Sequence, residues 1–159
     1  MLFAFIIALS ILSAVYSKTY LKETFNDKGW QDRWVVPTQW KPESEMGKWG
    51  WTAGKHFFDE LDKGIQTSQD AHFYGISSKM ETSFTNKDKP LVVQFSVKHE
   101  QDLDCGGAYI KILPGNVDQD SFSGDTPYAL MFGPDICGSS NRKTHVIFNY
   151  PPKNDNLLI

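Results

Sequence analysis

Apolar and polar residues alternate with a period of two in separate stretches of this chain, and that restricts it to a fold built from half-buried strands. In residues 91–98, Leu91, Val93, Phe95 and Val97 fall on one side and Gln94, Ser96 and Lys98 on the other. Residues 108–112 repeat the pattern. There Ala108, Ile110 and Ile112 point toward a core, while Tyr109 and Lys111 project together from the opposite face. The run Thr144-His145-Val146-Ile147-Phe148-Asn149-Tyr150 reads as a buried strand. Turn-forming clusters, Asn86-Lys87-Asp88-Lys89-Pro90 and Pro114-Gly115-Asn116, separate the runs at the spacing of a β-sandwich. No long amphipathic helix, internal repeat or low-complexity linker interrupts them, so one all-β domain is expected.

The apolar fraction of 40% over 159 residues is that of a globular chain rather than a disordered one. A net charge of -3, with no lysine- or arginine-rich run, weighs against nucleic acid or an anionic membrane surface as the main partner. The first seventeen residues, Met1 to Ser17, form an uncharged apolar run that stops at Lys18. The run is short for a bilayer span, and the small residues Val15 and Ser17 suit cleavage before Lys18. A secretory signal peptide over residues 1–17 is the expectation, with a retained signal anchor as the alternative. The mature chain, 18–159, is then expected to be soluble in an oxidising lumen. Cys105 and Cys137, the two cysteines of the chain, are expected to form one disulfide there. Closing that loop should stabilise the fold by roughly 3–4 kcal/mol. Redox catalysis is the rival reading, and it lacks a Cys-x-x-Cys spacing.

Each cysteine also sits in a motif. Cys105 opens Cys105-Gly106-Gly107-Ala108-Tyr109-Ile110-Lys111 after the lead-in Lys98-His99-Glu100-Gln101, and Cys137 stands in Leu130-Met131-Phe132-Gly133-Pro134-Asp135-Ile136-Cys137-Gly138. Both motifs resemble the sequence signatures of the calreticulin/calnexin family of endoplasmic reticulum lectin chaperones. The resemblance runs from about Thr24 to Leu158, through Gly64-Ile65-Gln66-Thr67-Ser68-Gln69-Asp70-Ala71 and Lys143-Thr144-His145-Val146-Ile147-Phe148-Asn149-Tyr150. Ile136 and the 146–150 run look more like the soluble branch of the family than the membrane-bound one.

The resemblance implies a concanavalin-like jelly-roll β-sandwich. It also implies a calcium-binding lectin chaperone of the endoplasmic reticulum lumen that is not an enzyme. Such a chaperone binds monoglucosylated high-mannose N-glycans on unfolded glycoprotein clients and assists their folding. Residues 18–159 would be the N-terminal part of the family's globular lectin domain, without its proline-rich arm, acidic tail and retrieval signal, so the sandwich is expected to be incomplete. The alternative is a polypeptide- or calcium-binding fragment without lectin activity.

Sugars are held by aromatic faces that pack on ring C–H groups and by polar groups that bond to adjacent hydroxyls. Tyr109, Lys111, Tyr128, Met131 and Asp135 supply that mixture, and the resemblance implies that residues at these positions hold the terminal glucose. Gly106-Gly107 would let a ligand approach the backbone closely. Gly124-Asp125 suits either the rim of the same site or an ordinary turn. For calcium, the resemblance implies the carbonyls of Thr24, Leu61 and Lys63 plus a carboxylate from sequence beyond Ile159.

Other chemistries find less support. Asp102, Asp104, Asp118 and Asp120 lack EF-hand spacing, and His56, His72, His99 and His145 lack that of a zinc site. No Gly-x-Ser-x-Gly elbow, phosphate-binding glycine loop or His-Glu-x-x-His is present. A glycosidase carboxylate pair drawn from Asp102, Asp104 and Asp135 ranks behind the lectin reading. All five tryptophans fall between Trp30 and Trp51. They could stack on sugars, but core packing is the better expectation for them.

Overall fold

A computed structural model describes residues 17–149, and the leader expected over residues 1–17 lies almost entirely outside them. Strands dominate. One helical turn, α1 (Trp30–Arg33), precedes β1 (Trp49–Thr52) and β2 (Gly64–Thr67), which form a separate antiparallel pair. The main sheet is built on β5 (Leu130–Cys137). It is flanked on one side by β3 (Cys105–Gly107) and β4 (Ile110–Ile112), and on the other by β6 (Asn141–Phe148). All of these pairings are antiparallel.

β3 and β4 are two halves of one line, because Gly107 lies opposite Asp135 and Ile110 opposite Phe132 in a single unbroken register. The ladder lapses between them where Ala108 and Tyr109 face Pro134 and Gly133. Proline has no N–H to donate, although the Pro134 carbonyl still accepts from the Ala108 N–H at 3.1 Å. β5 turns into β6 through Gly138-Ser139-Ser140. Gly138 takes the left-handed conformation, φ +67°, and donates its N–H to the Asp104 carbonyl at 2.7 Å.

The period of two sorts the sheet's faces. Ile110, Ile112, Leu130 and Phe132 share one face; Leu130 is buried and Phe132 meets Phe95 edge-on at 5.5 Å. Trp30, only 4% exposed, anchors the other packed region. Of the tryptophan segment Trp30 alone is buried, and Trp34, Trp40, Trp49 and Trp51 are half-buried, so the core expectation is met in part. Trp40 meets Phe73 and Trp49 meets Tyr74 edge-on, and Trp51 Nε1 donates to the Phe25 carbonyl at 2.6 Å.

Two strand expectations change. Residues 91–98 keep their alternation, with Leu91, Val93 and Phe95 half-buried and Val92, Gln94 and Ser96 exposed, yet no ladder forms along them among the described residues. Alternation fixes which way side chains face; a strand also needs a neighbour to bond to. Val97 leaves the pattern and is exposed. The run at 144–150 was expected to be buried. Its described part does belong to a strand, but Val146 is 56% exposed and Phe148 61%. β5 is the one described helix or strand that packs on β6, so the face it shares with Phe132 lacks a cover there.

The N-terminal segment is held by charge. Arg33 Nε lies 2.8 Å from Glu23 Oε2, its Nη1 lies 3.0 Å from Asp27 Oδ1, and Trp34 Nε1 donates to Glu23 at 2.9 Å. The Glu23 side chain is 9% exposed. The bond from Arg33 outweighs burial and lowers its carboxyl to a pKa of about 2. A depressed carboxylate stabilises the fold fully above the ordinary glutamate range and loses that contribution as pH falls toward 2. On the order of 1–2 kcal/mol should disappear over that window, after discounting for the partly exposed guanidinium. Thermal unfolding followed from pH 6 to pH 2.5 should therefore show a smaller loss of midpoint in Glu23→Gln than in the parent. Parallel curves would contradict the assignment.

Candidate functional site

Register, more than sequence spacing, assembles the candidate site. Tyr109 and Lys111 lie opposite Gly133 and Met131 of β5, and Asp135 lies opposite Gly107. Beyond β5, Asp135, Gly133 and Met131 face Lys143, His145 and Ile147 of β6. Tyr109, Lys111, Met131 and Asp135 thus stand on one face of one sheet, the face opposite Ile110, Phe132 and Leu130. Tyr128, which precedes β5, joins them from the side, since the Lys111 ammonium sits 5.1 Å from its ring centroid.

The absence of side chains shapes this face. A side chain at Gly107 would run into the Tyr109 ring, so glycine lets that ring lie back across the sheet toward Asp135. Burial, the Asp135 charge and a hydrogen bond to Asp135 all raise the Tyr109 pKa. The phenol therefore stays protonated beside the carboxylate. Asn141 Nδ2 donates to Asp135 Oδ2 at 3.1 Å, and His145 Nε2 lies 3.8 Å from the same oxygen. Asp135 is therefore an oriented acceptor, with its side chain about a quarter exposed.

Lys111 is held as firmly. Its Nζ donates to the Gly124 carbonyl at 2.8 Å, and burial lowers its pKa, with Asp125 opposing. Gly124-Asp125 is a turn and also the partner of Lys111, so the two readings of that pair are compatible. The face combines two phenol rings, a thioether, a fixed ammonium and a fixed carboxylate. Such a surface can stack on an apolar ring face while bonding to neighbouring hydroxyls.

Cys105 and Cys137 close this face at one end. They are directly opposed in the β3–β5 ladder, with Cα atoms 3.9 Å apart, and are joined by the expected disulfide. His145 and Asn141 were not singled out by sequence pattern, which left His145 as a strand or surface residue. The signal that finds them is the tight three-residue β5–β6 turn, whose register carries His145 onto the row of Gly133 and Tyr109.

The carbonyl donors expected for calcium are a different matter. The Lys63 N–H bonds to Asn26 Oδ1 at 2.9 Å and so ties the loop of Leu61 and Lys63 to the segment after Thr24. Among the described residues no group of three or more His, Cys, Asp or Glu side chains converges on a point. Three carbonyls fall well short of the 6–8 oxygens that calcium takes, so further donors would be needed to complete a site.

A profile of the Calreticulin family matches residues 21–157. The chain belongs to the calreticulin family. It is 48% identical over 150 residues to the calreticulin of Onchocerca volvulus, a match covering 94% of this chain and 38% of that protein. To the calreticulin of Drosophila melanogaster it is 50% identical over 150 residues, again 94% of this chain and 36% of that protein. The solved T. cruzi calreticulin globular domain superposes with a TM-score of 0.73 at 43% identity, covering 82% of this chain and 47% of that one. The all-β jelly-roll expectation is therefore met. At the level of the family, calreticulins are non-enzymatic lectin chaperones. The chain spans little more than a third of the length of these two curated calreticulins.

Proposed function

We propose that this chain carries the glycan-binding face of a lectin chaperone of the endoplasmic reticulum lumen. Its ligand is the terminal glucose of a monoglucosylated high-mannose N-glycan on an unfolded glycoprotein. Binding is reversible, and no bond is made or broken. The observation that carries this reading is the gathering of Tyr109, Lys111, Met131 and Asp135 on one face, with Tyr128 against Lys111. In this reading the tyrosine rings pack on the apolar side of the glucose ring, Asp135 accepts from sugar hydroxyls, and Lys111 donates to a sugar oxygen. Calcium enters as the structural ion of the family, with the carbonyls of Thr24, Leu61 and Lys63 as part of its donors.

Removing one of these contacts should be measurable. Tyr109→Ala and Asp135→Ala should each weaken binding of a monoglucosylated oligosaccharide by about 1–3 kcal/mol, roughly five- to hundredfold in Kd. Calorimetric titration of this segment completed with the rest of a lectin domain reads this directly. Unchanged affinity in both variants would refute the site.

A second reading, polypeptide binding without lectin activity, draws on exposed apolar side chains. Phe58, Leu61, Val92, Val146 and Phe148 are all strongly exposed. Binding of an unglycosylated unfolded polypeptide with no response to glucose-capped oligosaccharide would favour it.

A further inference from the structure

We infer that Trp40 is a positioning residue for the Lys111 side of this face, acting through the 122–126 rim that it supports. Its consequence for sugar binding rests on the glycan reading above; its mechanism rests on contact geometry alone. Lys111 stands on β4, but a loop fixes its ammonium, through the Gly124 carbonyl at 2.8 Å and the Tyr128 ring at 5.1 Å. That loop is a tight turn. Ser123 N–H donates to Thr126 Oγ1 at 2.8 Å, Asp125 N–H to Ser123 Oγ at 3.2 Å, and Thr126 N–H to the Ser123 carbonyl at 3.3 Å. These bonds set the shape of the turn, not its height above the strand.

The height comes from an aromatic wedge. A β-carbon placed on Gly75 would stand 3.1 Å from Trp40 Cζ3 and 3.5 Å from Phe122 Cε1, so both rings crowd the same bare stretch of backbone. One placed on Gly124 would lie 4.0 Å from Trp40 Cζ2, so the outer edge of the indole faces the turn without touching the bare glycine. Phe73 closes the wedge edge-on to Trp40 at 5.4 Å, and the Gln39 N–H bonds to the Asp120 carbonyl at 2.9 Å. The segment carrying Trp40 is therefore pinned to the stretch that leads into the rim. Taking away the outer ring of the indole removes what packs beside Phe122 at Gly75, so the stretch leading into the turn is free to sink and the Gly124 carbonyl loses its alignment with Lys111.

The experiment measures how fast individual lysine amines are acetylated by a reagent added in trace amount, with mass spectrometry resolving each site. Trp40→Phe withdraws the ring atoms that crowd Gly75 and face Gly124 while keeping an aromatic ring at the position; Trp40→Leu removes the wedge. Lys111 labelling should rise about three- to tenfold, the release expected for one net hydrogen bond. Lys98 is the internal control, since its Nζ bonds to the Ala53 and His56 carbonyls at 2.9 and 3.1 Å, away from Trp40. Its rate should not change. An unchanged Lys111 rate in Trp40→Phe overturns the inference, and so does an equal rise at Lys98, which would mean general loosening. A parent protein without affinity for glucose-capped glycan would defeat the lectin reading and leave the labelling result intact.

Discussion

Replacing Cys105 and Cys137 together by alanine should lower the stability of the domain by about 2–5 kcal/mol, or roughly 5–20 °C in unfolding midpoint. The two residues are directly opposed on neighbouring strands, so the bond ties β3 to β5 at the end of their ladder. It joins positions 32 apart in sequence, and that loop runs through Tyr109, Lys111 and Tyr128. In the cross-linked unfolded chain these site residues remain confined to one closed loop; in the variant they do not. Differential scanning calorimetry of the double variant against the parent measures the loss. A midpoint unchanged by the double substitution, or two free thiols in the secreted parent, would contradict the account.

Gly133→Val should be at least as damaging, costing more than about 3 kcal/mol. A β-carbon at Gly133 would be driven into the backbone carbonyl of Ala108. Backbone inside a ladder cannot swing aside as a flexible side chain can, so β5 would have to part from the β3–β4 line. That parting would fall at the row occupied by Tyr109. The comparison that isolates the cause is Gly138→Ala. Gly138 has φ +67° and open space around it, so alanine there meets only the left-handed backbone penalty of about 1 kcal/mol. Soluble yield and urea midpoints should rank parent, Gly138→Ala and Gly133→Val in that order. Equal stability of the two glycine variants would show that close approach at Gly133 is not what the strand requires.

How far the site was legible depends on which part of it is local. The facing of Tyr109 and Lys111 followed from period-two alternation, because Ala108, Ile110 and Ile112 had to point the other way. Met131 and Asp135 lie in the run Leu130-Met131-Phe132-Gly133-Pro134-Asp135, which does not alternate cleanly. Pattern alone could not place them; resemblance to the family motif named them, and register set them beside Tyr109 and Lys111. Tyr128 lies off the strands and reaches the face only through Lys111.

The misjudged elements share one cause. Whether residues 91–98 pair, and whether Val146 and Phe148 are covered, depends on what lies beside or above them, which no local pattern encodes. His145 escaped notice because its neighbour Asp135 is close only across the β5–β6 turn.

The central claim is that the face around Tyr109 and Asp135 recognises a terminal glucose. Its most direct test is calorimetric titration of this segment, completed with the rest of a lectin domain, with a monoglucosylated high-mannose oligosaccharide and, separately, with the same oligosaccharide lacking the glucose. The account predicts binding of the first that Asp135→Ala weakens roughly five- to hundredfold, and no comparable binding of the second. Equal affinity for the two oligosaccharides, or binding of neither, would contradict it.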